Sequence, residues 1–463
     1  MSPEFIDCHV ATDPIESSWI YEHGWQSWSP AGVYPANIEH SPRPALPKWQ
    51  TMAFRPEIPA PATGFQGEGL LAVIGPDKSA DLFYAPRPDI EVASIRAQNE
   101  KDHVVVSANG EVAHLRADSL DAGLGAIAEI YQSEFVRQEI RPLPAGWCSW
   151  YTYWNKVTDV NVLENVAAIN RNDLGIDVVQ IDDGYQVEIG DWLSLRPEFG
   201  SLDRVVDQIR NSGQTPGLWT APFLVGTNSQ VAKDHPEWLV GEAVACEHHW
   251  GQEIRVLDVT HPGAAEHLIN VFRTLRSQGF DFHKIDFIYA GAMLGRRHQD
   301  IDPIAAYRLG LNLIREGLGG GATLLGCGAP LLPSIGLVDA MRISPDVMPN
   351  WEPELGDISQ PGMRSALATG RARAWMHGRL WINDPDCVLV RPEVERLQPW
   401  HDYVGTLRGL AVSSDPLGQL DANHIAQTRD LMIPADLSPV SWDPWAGPDQ
   451  GEIHRVAASH GQG

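Results

Sequence analysis

Three short segments place charged side chains where an apolar run ends. In Phe282-His283-Lys284-Ile285-Asp286-Phe287, residues two apart on a strand share a face, so Lys284 and Asp286 point the same way. A cation beside a carboxylate favours its charged form. That is the state a carboxylate nucleophile or charge stabiliser requires. The same residues also suit a structural ion pair, or a lysine that forms a Schiff base with a carbonyl substrate. In Val178-Val179-Gln180-Ile181-Asp182-Asp183, adjacent carboxylates are costly to bury unless something pairs with them. They form either a turn in which one Asp caps the next helix, or paired acceptors for two neighbouring sugar hydroxyls. In Met341-Arg342-Ile343-Ser344-Pro345-Asp346, Asp346 is available as a second carboxylate with Arg342 close by; a Pro-Asp turn is the plain alternative.

Aromatic residues gather at the same places. Trp147, Trp150, Tyr151, Trp192 and Trp219 fall at or just after strand ends, and the 17 Trp outnumber the 11 Phe and 10 Tyr. In that location an indole is better suited to stacking on the flat face of a sugar than to filling a core. Other chemistries lack their signatures. Glu247-His248-His249-Trp250 lacks ligand spacing and no HExxH occurs, so this stretch reads as a solvated loop and no metal is expected. No GxSxG is present. Gly319-Gly320-Gly321 lacks the Lys-Ser/Thr of a phosphate loop and reads as a turn. No cofactor is expected.

The elements that must position these groups are legible from Trp147 onward. Trp147–Tyr151, Val178–Ile181, Thr215–Trp219, Phe282–Ile285, Thr323–Gly326, Ala340–Ile343, Leu380–Ile382 and Leu410–Val412 are eight short apolar strands. Helices lie between several of them. Pro262 opens one that Gly279 ends, and Asp302-Pro303 opens another. The expected class is α/β, with a catalytic (β/α)8 barrel preceded by an N-terminal β-sandwich. A doubly wound sheet is the rival, but no GxGxxG follows any strand. The expected organisation is a sandwich over 1–125, a helical linker over 126–145 containing most of a helix at Gly123–Gln138, the barrel over 146–420, and a Pro/Asp-rich tail or truncated β-domain over 421–463.

Composition narrows the partners. The chain has 463 residues, 43% hydrophobic and 20% charged, an ordinary globular balance. Its 60 acidic against 34 basic residues give a net charge of -26. Nucleic acid and anionic membrane faces are therefore poor partners, which leaves small molecules or proteins. Five scattered cysteines (Cys8, Cys148, Cys246, Cys327, Cys387) without CxxC fit a reducing cytosol. No signal peptide is visible at the N-terminus. The uncharged run Gly317–Val338 is broken by seven Gly and two Pro, so a soluble, cytoplasmic protein is expected.

Six motifs then carry a resemblance. Trp147-Cys148-Ser149-Trp150-Tyr151, Gln180-Ile181-Asp182-Asp183-Gly184-Tyr185, Pro216-Gly217-Leu218-Trp219-Thr220-Ala221-Pro222-Phe223, Lys284-Ile285-Asp286-Phe287, Gly326-Cys327-Gly328-Ala329-Pro330 and Arg342-Ile343-Ser344-Pro345-Asp346 resemble, in order, the retaining α-galactosidases of glycoside hydrolase family 36. His23-Gly24-Trp25-Gln26-Ser27-Trp28-Ser29 is similar to a motif of that family's N-terminal β-domain. The resemblance implies Asp286 as nucleophile and Asp346 as general acid/base. It implies Asp182 and Asp183 on the galactosyl O4 and O6, and Lys284 and Arg342 as further hydroxyl ligands. Trp150, Tyr151, Trp219 and Cys327 would line the sugar pocket, which Trp25 or Trp28 would complete. It implies an exo-acting hydrolase of terminal α-galactosyl residues on oligosaccharides, monomer or homo-oligomer. Three departures stand out. The N-terminal domain is shorter than usual, the C-terminal β-domain looks truncated or missing after Leu420, and Cys327-Gly328-Ala329-Pro330 matches the compact bacterial members. Alternatives are an α-N-acetylgalactosaminide or β-L-arabinopyranoside as substrate, galactosyl transfer, an aldolase using Lys284, and a non-catalytic sugar binder.

Overall fold

The computed structural model describes residues 4–11, 13–55, 57–137, 139–246, 249–447 and 451–456. Eight parallel strands form one sheet: Gly146–Cys148, Val178–Ile181, Thr215–Thr220, Phe282–Ile285, Thr323–Gly326, Ala340–Arg342, Ile382–Asp384 and Val412–Ser413. They lie side by side in chain order, with the eighth paired to the first. The backbone N–H of Leu410 donates to the Asn383 carbonyl at 2.9 Å and closes the gap between seventh and eighth. A closed parallel barrel leaves no sheet edge, and its catalytic groups collect at the C-terminal strand ends. Five expected strands differ at their bounds, the third, sixth and eighth by only one or two residues at an end. The first stops at Cys148, because Trp150–Tyr153 turns into a short helix. The seventh starts at Ile382, not Leu380, and carries Asp384 at its end.

The helices are bounded by ordinary caps. Thr158 forms a reciprocal capping box with Asn161 ahead of Asp159–Asn172. Pro262 opens Pro262–Gln278, and Gly279, at φ +109°, ends it. The Asp302 side chain accepts from the Ile304 N–H at 2.8 Å to start Pro303–Leu318. No α-helix separates the fifth and sixth strands; a short 3₁₀ turn at Leu332–Ser334 stands there instead. The N-terminal domain occupies that gap. Ser27 N–H donates to Ala329 O, Ala329 N–H donates to Ser27 Oγ, and Leu331 N–H donates to Trp25 O, each at 3.0 Å.

Two antiparallel sheets, of four and five strands, make up the N-terminal β-region. Ile20, Leu71, Val73 and Phe83 meet Phe65, Ile95, Val104 and Val106 between them. The other face of the five-stranded sheet, with Tyr21, Leu70, Ala72, Ile74 and Leu82, joins the main core. Leu70–Ile74 is therefore buried on both faces, which accounts for its unbroken apolar run. The helix that follows is Leu120–Phe135, earlier than expected because Ser119 caps it by accepting from Ala122 N–H. Gln138 lies outside the described residues.

One buried cation ties the two regions together. Arg373, fully buried, donates from Nη1 to Ser27 O (2.7 Å) and Ile343 O (2.8 Å). From Nη2 it donates to Gly24 O, Gln26 O and Ser29 O (2.7 Å for the last). Burial pulls its pKa down to about 9. The tail is more ordered than its composition suggested. It holds the helix Ala422–Leu431 and a hairpin of Val440–Asp443 with Glu452–Arg455. Trp442 of that hairpin packs edge-on to Tyr21 at 5.9 Å. Among the described residues, no helix is long and apolar enough to cross a membrane.

Candidate active site

The carboxylates singled out in the sequence converge at the C-terminal end of the barrel. Asp286, just past the fourth strand, donates its N–H to Thr220 O at 2.8 Å. Its Oδ2 accepts the indole N–H of Trp219 at 3.0 Å, and Lys284 Nζ lies 3.7 Å from the same oxygen. Lys284 reaches farther toward the second strand, 2.9 Å from Oδ2 of Asp182. Burial opposes the ammonium charge, but Asp182 and Asp286 together hold its pKa well above the ordinary lysine value. Asp182 Oδ2 also accepts from Gln180 Nε2 (2.7 Å) and the Cys148 thiol (3.4 Å). Asp183 accepts from Gln186 Nε2 on Oδ1 (2.6 Å) and from Trp250 Nε1 on Oδ2 (2.7 Å). Burial first, then Asp182 and Asp286, push the Asp183 pKa up.

Arg342 is shared among three carboxylates. Its Nε is 3.0 Å from Asp384 Oδ2, Nη2 is 2.7 Å from Asp386 Oδ1, and Nη1 is 3.0 Å from Asp346 Oδ1. Asp386 also accepts from the Tyr151 hydroxyl and from the Val347 N–H. Asp346 is the most open of these acids, with 32% of its side chain exposed. Its surroundings raise its pKa to about 7: burial contributes most, then Asp386, against Arg342, with Asp286 adding to the rise. A carboxyl in that state can give a proton near neutral pH. Cys327, after the fifth strand, is buried, and its N–H donates to Ile285 O. Burial and then Asp286 push its thiol pKa well up.

The aromatic residues divide. Trp219 and Tyr151 bond carboxylates directly, and Trp150 lines a small cavity with Tyr151, Lys284 and Arg342. Trp192 packs edge-on to Trp219 at 5.8 Å. Of the two N-terminal tryptophans, Trp28 stands edge-on to Phe287 at 5.0 Å, one residue from Asp286. Gly328, at φ +53°, makes room for it; a Cβ there would lie 2.7 Å from the Trp28 ring. Trp25 instead has Arg55 over its ring at 4.8 Å and lines a separate cleft with Thr51, Tyr289 and Met293.

Four groups in the site escaped the sequence reading. Asp384 and Asp386 sit in Asn383-Asp384-Pro385-Asp386, a strand-end acid pattern like that of Asp346. Gln186 lies three residues beyond Asp183. Trp250 corrects the expectation of a solvated loop: it is half-buried, bonded to Asp183 and 5.3 Å from the Phe287 ring. Its loop joins Leu239–Cys246 to Ile254–Leu257 in a small sheet inserted after the third barrel strand. No local spacing marks it. Glu247 and His248 lie outside the described residues. Among those described, no group of three or more His, Cys, Asp or Glu side chains could hold a metal ion.

A barrel with acids gathered at its mouth is an arrangement on which glycoside hydrolysis can be built. Residues 126–318 match the family model described as Melibiase. An α-galactosidase from Thermus thermophilus, solved with p-nitrophenyl α-D-galactopyranoside, is 27% identical, with a TM-score of 0.79. That likeness covers 95% of this chain and 91% of the other. The α-galactosidase AgaA from Geobacillus stearothermophilus is 30% identical over 135 residues, 26% of this chain and 18% of the relative. An α-galactosidase from Escherichia coli is 24% identical over 199 residues, 39% of this chain and 27% of its own length. The matched segments thus span about a fifth to a quarter of those curated relatives.

Proposed function

We propose that this chain is a retaining α-galactosidase acting on terminal α-D-galactosyl residues of oligosaccharides. The observation that carries the reading is the contrast between two acids. Asp286 is bonded by Trp219 and flanked by the Lys284 ammonium. Asp346 lies within electrostatic reach of it and keeps its proton to about pH 7. In this reading Asp286 attacks the anomeric carbon while Asp346 protonates the leaving glycosidic oxygen. Water, deprotonated by Asp346, then releases galactose with its α configuration kept. Asp182 and Asp183 take the O4 and O6 hydroxyls, Lys284 and Arg342 bind further hydroxyls, and Trp28, Trp150, Tyr151, Trp219 and Cys327 shape the pocket.

The raised pKa of Lys284 argues against the aldolase alternative, since a Schiff base needs a neutral amine. Five free cysteines suit a reducing cytoplasm. We take residues 1–125 as the domain that supplies Trp28, and 146–420 as the catalytic barrel. The test is a panel of nitrophenyl glycosides. Release from the α-galactoside, well above release from α-glucoside, α-N-acetylgalactosaminide and β-L-arabinopyranoside, supports the reading; a preference for any other member replaces the substrate, and no release from any member overturns it.

A further inference from the structure

Asp182 and Asp183 already carry protein donors, and their remaining acceptor positions differ. An ionised carboxylate offers about four such positions. Oδ2 of Asp182 takes Lys284, Gln180 and Cys148, and its Oδ1 takes the Asp183 N–H at 2.9 Å. That leaves about one opening, on Oδ1. Asp183 has one side-chain donor on each oxygen, Gln186 and Trp250, and so keeps about one position free on each. Asp183 can therefore accept from two hydroxyls, while Asp182 can accept from about one.

The two donors on Asp183 have different origins. Gln186 follows it in the same loop, and its Oε1 is fixed in turn by the Gly184 N–H at 3.1 Å. Trp250 arrives from the inserted sheet, with its backbone at φ +54°. That conformation is uncommon for a bulky residue and is held here by packing. Its ring stands edge-on to His249 (4.2 Å) and Phe287 (5.3 Å). The indole is thus packed against Phe287, the residue that follows Asp286.

We propose that Trp250 is a specificity-determining residue, whose N–H locks the Asp183 carboxylate in the orientation that reads a primary C6 hydroxyl together with the ring O4. This rests on the galactosyl reading of the site. A ring hydroxyl at O4 has a second acceptor in the open Oδ1 of Asp182. A hydroxyl on a rotatable C6 arm has only Asp183, so it suffers most when that carboxylate turns. Trp250 acts through Asp183 and is a positioning residue, not a catalytic one.

The test compares D-galactose with L-arabinose, whose pyranose form keeps the galactose ring configuration without the C6 arm. Calorimetric titration of the full chain gives Kd for each sugar in wild type, Trp250→Phe and Trp250→His. Phe removes the N–H and keeps a ring; His restores a ring N–H. The expected result is a galactose Kd about tenfold weaker in Trp250→Phe. Arabinose should weaken less than about threefold, and Trp250→His should recover part of the galactose loss. Equal losses for both sugars, no loss for either, or no binding of either by the wild type overturns the proposal. If Trp250→Phe does not melt like the wild type, Trp250→Met takes its place under the same criteria. Binding is read apart from turnover, so a wild type that binds galactose but cleaves no glycoside overturns the hydrolase reading alone.

Discussion

The Arg342 guanidinium stands 3.0 Å from Oδ1 of Asp346, yet Asp346 keeps its proton to about pH 7. A close cation ordinarily favours the carboxylate. Here the same guanidinium also serves Asp384 and Asp386, both buried. The Asp346 carboxyl is left with burial and the neighbouring Asp386 charge, and these outweigh its share of the cation. A residue that looks like half of a salt bridge is thereby kept as an acid.

The pH–rate profile should show that acid. For substrates with poor leaving groups, kcat/KM should fall as pH rises through about 7, as Asp346 of the free enzyme loses its proton. Asp346→Ala should remove this limb and cost roughly 10²–10⁴-fold on such substrates. Nitrophenyl substrates, which need little protonation, should lose much less in the first step, and azide should restore the second. An unchanged basic limb in Asp346→Ala would exclude it as the proton donor.

Stability should carry the opposite mark of the same shift. A carboxyl whose folded pKa is raised from 3.8 to about 7 holds a proton that the unfolded chain releases in that window. Its contribution is therefore full below about pH 4 and is lost as pH rises toward 7. Glu22, pushed from 4.5 to about 7 chiefly by burial, acts in the same direction. Scanning calorimetry should find Asp346→Asn melting above wild type at pH 8, with the gap closing near pH 4.

Specificity should depend on Asp183. Hydrogen bonds to a charged acceptor are worth about 1.5–3 kcal/mol each. Losing one costs roughly 10- to 150-fold in kcat/KM. Asp183→Ala should lose at least that much on α-galactosides while its melting temperature changes little. Wild-type α-glucosidase activity should be very low, and comparable rates on the two epimers would contradict the assignment.

Stereochemistry tests the double displacement directly. Retaining enzymes hold their two carboxyls about 5–5.5 Å apart, and inverting ones about 6.5–9.5 Å, to admit a water. Proton NMR during hydrolysis of an α-galactoside should show α-galactose first, with the β anomer growing only by mutarotation. Asp286→Asn should abolish turnover of every substrate. Early β-galactose would remove Asp286 as nucleophile.

The barrel was legible because each strand is a short apolar run ended by polar residues, as at Phe282–Ile285. Lys284 and Asp286 were legible for the same reason, through the two-residue period of a strand. The first strand was overread because Trp150 and Tyr151 continue its apolar character, although the chain there coils into a helix. Apolar content alone does not separate those states. Trp25 and Trp28 share one motif, and only the turn between them sends one toward Phe287 and the other toward Arg55. Trp250 depends on how an inserted sheet folds back over the barrel mouth, a contact 67 residues from Asp183 that no local pattern encodes.

The cage of carbonyls around Arg373 also sets an order of events at birth. Ser29 and Arg373 are 344 residues apart, and a ribosome adding about 5–20 residues per second needs roughly 17–70 s to cover that interval. Throughout that time the Gly24–Ser29 loop has no guanidinium to close on, and its carbonyls must be satisfied by water. The Trp28 indole waits as well, since Phe287 and Gly328 are synthesised more than 250 residues after it. A segment made well before its partners is therefore among the last to reach its final shape.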